Sequence, residues 1–249
     1  GVEGVVDQVQ EELLQLAREK GRRLFLNHTM VYSPVMRQIR QVVERGVLGP
    51  LFQLRAYYGG YLRRWDWQTL RKYDGGVLPN KGSHVLSMML PLMGGSAVVR
   101  GATLCRVKDA GDAEDFAEMM LQSPSGISGN IVVTSASAYD CPQWLILGKY
   151  GSFIHDGTTS RLKWYDPALV PLPEAIDGAA PGRQYQREDL PWQEEVLELE
   201  SYPLMQAVYE DIHGALRAES EPLVSAESGL EVIRCMDRAR ELGERTPSC

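Results

Sequence analysis

Helical patterning at both ends and a run of short strands between them predict an α+β fold: an open, mainly antiparallel sheet with helices on one face. Three observations carry this. Six short β-prone segments, 98–107, 117–121, 127–135, 144–147, 152–155 and 162–165, follow one another with turn residues between them. The turns are Ser123-Pro124-Ser125-Gly126, the stretch 148–151 and Asp156-Gly157, at the spacing of antiparallel hairpins. Apolar residues recur at helical spacing outside that block, which leaves one sheet face to be covered by helices and the other free.

The elements follow in order. In 5–20 the apolar positions Val5, Val9, Leu13, Leu16 and Ala17 predict a helix stopped by Gly21. That helix opens with no cap and no preceding strand, and reads as the end of another unit. A β-prone Leu24-Phe25-Leu26 leads to the polar Asn27-His28-Thr29. Pro34 opens a helix over 35–44, which Gly46 and Gly49 end, and 51–58 alternates as a strand up to Gly59-Gly60. The polar, aromatic and basic stretch 61–74 predicts a loop or short helix. The stretch 83–93 is apolar around most of its circumference and predicts a buried helix, stopped by Gly94-Gly95. Five prolines in 167–191 predict a surface excursion. Two helices finish the chain: 203–217, with Leu204, Val208, Ile212 and Leu216 in one stripe, and 226–242, capped by Ser225 and closed by Gly243.

Composition narrows the function. The 249 residues are 44% hydrophobic and 24% charged, the balance of a globular protein. A net charge of −7 argues against nucleic acid or an anionic membrane surface as the main partner. No apolar run approaches the ~18 residues of a bilayer span, and no basic segment precedes an apolar core at the N-terminus, which predicts a cytoplasmic protein. Cys105, Cys141, Cys235 and Cys249 lie far apart and are expected to be ordinary thiols. His28, His84, His155 and His213 are equally scattered, and no metal site is expected.

The most informative stretch is 75–84, GGVLPNKGSH, directly before the buried helix. Two glycines permit a tight backbone turn, and Asn80 and His84, four residues apart, fall on one side of a helical turn. An imidazole there exchanges a proton near neutral pH, and a neighbouring amide orients a hydroxyl; the plainer alternative is that His84 only fills the helix start. The stretch 58–72, YGGYLRRWDWQTLRK, combines Tyr58, Arg63, Arg64, Trp65, Trp67 and Lys72. Aromatic faces stack on sugar rings and guanidinium groups bind hydroxyls or carboxylates; the alternative is a solvated basic loop. The glutamates of 194–200 read as an exposed strand face, and neither a Gly-x-Ser-x-Gly elbow nor a P-loop occurs.

GGVLPNKGSH followed by VLSMMLPLMGG resembles the signature of the Gfo/Idh/MocA oxidoreductases. EELLQLAREKGRRLFLNHTMVYSP, VVERGVLGPLFQLRAYY, WLILGKYGSFIHDGTTSRLKWYDP and GLEVIRCMDRARELGERT match that family in order, over nearly the whole chain. The resemblance implies an N-terminal Rossmann domain, absent here, and a C-terminal domain of the dihydrodipicolinate reductase-like kind. Residues 1–21 would be the last helix of the Rossmann domain, 22–223 the substrate and oligomerisation domain, and 224–249 a helix packing back toward the Rossmann domain. No Gly-x-Gly-x-x-Gly occurs in the chain, so NAD or NADP would be bound mainly by the absent domain, as would the family's lysine of a Glu-Lys-Pro motif.

The resemblance implies an oxidoreductase acting on a secondary alcohol of a sugar or polyol, as a homodimer or homotetramer through the open sheet face. His84 matches the catalytic histidine, and Asn80 stands where many members have aspartate, which leaves it an orienting role. Arg63, Arg64, Trp65, Tyr58, Lys81 and His28 would contact substrate, and Thr29 would face the cofactor side. Val31 departs from the arginine that many members place there. Two alternatives share the fold: a non-catalytic ligand-binding or dimerisation module, and an NAD-dependent glycoside hydrolase or lyase.

Overall fold

The computed structural model describes residues 5–175 and 187–243; part of the proline-rich excursion and Cys249 lie outside the described residues. Eight strands form one sheet: β1 (Leu51–Tyr58), β2 (Val98–Cys105), β3 (Phe116–Gln122), β4 (Ser128–Thr134), β5 (Trp144–Gly148), β6 (Gly151–His155), β7 (Ser160–Trp164) and β8 (Gln193–Leu197). Their order is β2-β3-β4-β1-β5-β6-β7-β8. The predicted hairpins are present as two antiparallel meanders, β2 to β4 and β5 to β8. The first strand in sequence joins them at the centre, parallel to β4 and antiparallel to β5.

Strand alternation sorts the two faces. One row across the sheet reads Met119, Ile131, Ala56, Trp144, His155 and Ser160, all buried. The neighbouring row reads Met120, Asn130, Arg55, Leu145, Ile154, Arg161 and Val196 and forms the uncovered face, with Met120, Arg55 and Val196 exposed. The buried face packs beneath α2 (Pro34–Glu44), α3 (Ser83–Leu92) and α5 (Ala226–Gly243). Trp144, Phe153, Leu54, Leu86 and Met119 are among the largest fully buried side chains. Ser33 stands at the N-cap position of α2 without a side-chain cap bond and Pro34 opens its first turn, and the Ser225 hydroxyl accepts from the Ser228 N–H at 3.0 Å at the start of α5.

Two expectations are corrected. Leu24-Phe25-Leu26 forms no strand; Leu26 instead packs against α5, filling the space above Gly229. The predicted buried helix is present as α3, and a π turn, Leu78–Gly82, leads into it. Cys105 is disulfide-bonded and so is no ordinary thiol, whereas Cys141 and Cys235 are free. The first helix, α1 (Val5–Glu19), pairs with α5 through Arg18 to Glu227 at 2.7 Å and Glu11 to Arg234 at 2.6 Å. Exposed pairs of this kind contribute about 0–1 kcal/mol each. Its apolar positions Val9, Leu13 and Leu16 stay about half exposed. No helix among the described residues is long and apolar enough to cross a membrane.

The β5–β6 hairpin leaves no room at its tip. A Cβ on Gly148 would stand 2.3 Å from the Leu48 carbonyl oxygen, a backbone atom that cannot swing aside. Gly148→Ala is expected to destabilise the protein by about 1–3 kcal/mol, the usual cost of overpacking. Chemical denaturation measures this, and an unchanged midpoint would show that the loop before β1 yields.

Candidate active site

The start of α3 is built by close backbone approach. Gly75 faces the Gln68 carbonyl so tightly that a Cβ would lie 2.5 Å from its oxygen, and Gly76 adopts φ +119, a region open to glycine. The Gly76 N–H donates to the Gln68 carbonyl at 2.8 Å. The π turn follows, closed by the Ser83 N–H on the Leu78 carbonyl. Pro79, which has no N–H, sits in its first residues, and the Ser83 hydroxyl donates to the Pro79 carbonyl at 2.6 Å. π turns inside helices recur at functional sites.

From there Lys81, His84, Val85 and Met88, at spacings of three and four, form one stripe that lines a cavity of about 210 Å³. Met30, from the 3-10 turn Thr29–Tyr32, and Tyr58-Gly59, at the end of β1, line the rest. The His28 ring stands 5.7 Å from the His84 ring, edge to face at 64°. Both Nδ1 atoms are buried without a hydrogen-bond partner. The Tyr58 hydroxyl is committed: it accepts from Trp144 Nε1 at 3.0 Å and lies 3.9 Å from the Met88 sulfur.

Burial sets the charges. It lowers the His84 pKa below the ordinary 6.5, and burial together with the neighbouring His84 ring lowers that of His28. Both imidazoles are therefore neutral at pH 7, and each is able to accept a proton. Burial also lowers the Lys81 pKa, assisted by the positive charges of Arg64 and Lys108. Lys81 Nζ donates to the Thr134 carbonyl at 3.3 Å. Tyr58 is pushed up by burial, which removes it as a source of phenolate.

The structure thus brings His84, Lys81, Tyr58 and His28 together and leaves other candidates aside. Asn80 lies next to the stripe, and its amide donates to Gln68 Oε1 at 3.1 Å instead of lining the cavity. Thr29 opens the 3-10 turn beside His28. Arg64 is tied to Asp66 at 2.7 Å, Arg63 is exposed, and Trp65 is 81% exposed. Sequence reasoning missed Met30, Gly59 and Met88 as lining, and it missed the loop between β2 and β3. There the buried Asp115 accepts the N–H groups of Val107, Lys108 and Asp109 at 2.7 to 2.8 Å. The acidic run DAGDAED was the available signal, since carboxylates in loops commonly satisfy backbone N–H groups. A larger cleft, about 350 Å³, lies between α2 and β8 and shares no residue with the His84 cavity. Its arginines are paired, Arg45 with Glu195 at 2.8 Å and Arg37 with Glu200 at 3.6 Å.

The chain is thus an open-sheet α+β domain that presents a half-buried imidazole at an apolar cavity. Residues 36–154 match the model of the GFO/IDH/MocA C-terminal domain, the family whose signature the sequence resembles. It is 30% identical over 158 residues to the dTDP-3,4-didehydro-2,6-dideoxy-alpha-D-glucose 3-reductase of Streptomyces violaceoruber. That alignment covers 63% of this chain and 46% of the relative, so the chain spans less than half the length of that protein. In fold it is similar to an NAD-binding protein from Listeria innocua, with a TM-score of 0.75, 19% identity, and 96% of this chain and 70% of that one covered. It is also similar to UDP-N-acetylglucosamine 3-dehydrogenase GnnA from Acidithiobacillus ferrooxidans, with a TM-score of 0.71, 18% identity, and 96% and 68% covered.

The imidazole pair makes stability depend on pH with a defined sign. Both folded-state pKa values lie below the unfolded 6.5, so between them the unfolded chain binds more protons and stability rises with pH. Stability is expected to fall as the pH drops below about 6.5 and to stop falling from this cause below the folded values. The double variant His28→Gln/His84→Gln should flatten that slope in thermal unfolding between pH 7 and 5; an unchanged slope would place the acid sensitivity elsewhere.

Proposed function

We propose that this chain is the substrate-side domain of an NAD(P)-dependent oxidoreductase acting at a secondary alcohol, or the corresponding ketone, of a sugar. The observation that carries the reading is the cavity itself, where His84 and Lys81 share a helical face with apolar Val85 and Met88. A dry wall beside one proton-exchanging group fits hydride transfer at carbon, which requires exclusion of water. The nicotinamide, held by a nucleotide-binding domain outside this chain, supplies the hydride acceptor or donor. That assignment is supported by the absence of Gly-x-Gly-x-x-Gly from the sequence and by the half-exposed apolar positions of α1, a surface suited to packing against such a domain.

His84, neutral at pH 7, takes the hydroxyl proton as the alcohol is oxidised and returns it in reduction. Its Nδ1 is buried, so this exchange is assigned to Nε2. Lys81 places positive charge beside the reacting oxygen and stabilises the developing alkoxide. His28 backs the His84 ring, and Met30 and Met88 keep water from it. Asn80 acts through Gln68, holding the loop that borders the site. Arg63, Arg64 and Trp65 lie further out and are assigned to the remainder of the substrate. Both functionally named relatives carry names that refer to position 3 of a nucleotide-linked sugar. Nucleotide-linked hexoses are therefore the first substrates to try.

The test uses the full-length gene product, screened with sugars, polyols and nucleotide-linked hexoses and with NAD and NADP, by absorbance of the reduced nicotinamide. His84→Ala is expected to lower kcat by about 10²–10⁴-fold, the usual contribution of a general base, with cofactor binding intact. Undiminished turnover would remove the proton-exchange role. In the oxidative direction wild-type activity should fall with acid at a pH below the ordinary histidine value, since protonated His84 cannot accept the hydroxyl proton.

A further inference from the structure

Glu114, in the loop between β2 and β3, does not line the His84 cavity, yet it holds the turn that His84 grows from. Its backbone carbonyl accepts from the Val77 N–H at 3.0 Å, and its Oε1 accepts from the Leu78 N–H at 3.1 Å. Leu78 is the first residue of the π turn and is fully buried. The carboxylate occupies the space a side chain on Gly76 would need: a Cβ there would lie 2.1 Å from Oε1. Gly76, required by its positive φ, thus also leaves the space in which the Glu114 carboxylate sits.

The carboxylate is held at a cost. Burial pushes its pKa up, opposed by its backbone N–H contacts and by the charges of Arg240 and Arg71. It sits in a cavity of about 160 Å³ with Arg71, Asp74 and Arg240, where Arg240 is shared with Asp74 at 2.7 Å. A partly buried carboxylate that a glycine must make room for is a poor way to stabilise a loop, and a good way to fix one turn in one orientation.

We propose that Glu114 is a positioning residue for His84. Its two acceptors, one backbone and one side chain, fix the entry of the Leu78–Gly82 turn, and with it the azimuth at which Lys81, His84, Val85 and Met88 face Met30 and Tyr58. The functional meaning rests on His84 being the proton-exchanging group; the positioning itself does not. Groups that face the His84 ring are His28, Lys81 and Tyr58, and Glu114 acts on it only through the backbone of the turn.

Imidazole titration by long-range proton–nitrogen NMR tests this in the intact full-length protein. Glu114→Ala, which removes the side-chain acceptor, is expected to let the turn relax, hydrate His84 and raise its midpoint toward the ordinary histidine value. His155, buried on β6 against Ser160, and His213, on α4 (Leu204–Leu216), should not move and report that the fold is intact. Glu114→Gln keeps an oxygen acceptor of the same reach and should restore the wild-type His84 titration. An unmoved His84 in the Ala variant overturns the proposal, as does a failure of Gln to rescue. Should the Ala variant unfold, Glu114→Asp, whose carboxylate is one methylene too short to reach Leu78, decides: a shifted His84 with unmoved His155 supports positioning, and an unshifted one rejects it. Because no turnover is measured, loss of the catalytic reading of His84 would leave this result standing, and the reverse.

Discussion

Two loops that touch backbone to backbone set the geometry on which the site depends. The segment 66–76 lies against the segment 109–115, and at Gly111 a Cβ would fall 1.7 Å from the Thr69 carbonyl oxygen. The Ala113 N–H donates to that same oxygen at 3.0 Å, Asp112 accepts from the Arg71 N–H at 2.8 Å, and Glu114 receives Val77 and Leu78. Contacts of this closeness admit no side chain and little sliding, so the point from which the π turn departs is fixed before α3 begins. Everything that faces the cavity from α3 inherits its direction from that point.

The electrostatics of the cavity follow from what is missing from its wall. The residue four before His84 is an amide, Asn80, and not a carboxylate, and that amide is turned toward Gln68. A carboxylate beside His84 would raise its pKa by favouring the imidazolium. Burial and a second imidazole instead hold the pair neutral, with a cationic lysine three residues away. A neutral histidine with a neighbouring ammonium is suited to taking a proton from an oxygen whose negative charge is stabilised as it forms. On the proposed reading the site has a base ready at neutral pH, and the same imidazole, once protonated, serves the reverse direction.

Much of this was legible in the sequence, and the limits have physical causes. Strands β2 to β7 were readable because hairpin turns and period-two alternation are local signals. The place of β1 between them was not, because inserting a strand parallel to β4 is decided by long-range packing of Leu54 and Ala56 into the core. His84 was found because glycines, a polar turn and a buried helix lie in one stretch. Lys81 and Asn80 exchanged importance because a one-residue step round a helix, about 100°, separates the cavity wall from the loop side, and sequence spacing does not give the azimuth. Leu24-Phe25-Leu26 has β propensity but no neighbouring edge, and propensity without a partner strand makes no ladder. Glu114 was invisible because its role is a hydrogen bond to a backbone 36 residues away.

The size of the cavity bears on how the rest of the molecule is used. At about 210 Å³ it falls below the roughly 300–1,000 Å³ of pockets that enclose a whole small ligand. On the proposed reading it holds only the reacting part of a sugar, with one side left for the nicotinamide. The remainder of the substrate must then lie outside, against the segment 61–73, where Trp65, Trp67 and Tyr73 are exposed and Arg64 is pinned by Asp66 and Asp109. Such a division assigns chemistry to the stripe on α3 and recognition to the loop in front of it. It also accounts for tying that loop so firmly to 109–115: the same contact that orients His84 holds the recognition surface at a fixed distance from it, so that chemistry and specificity share one anchor.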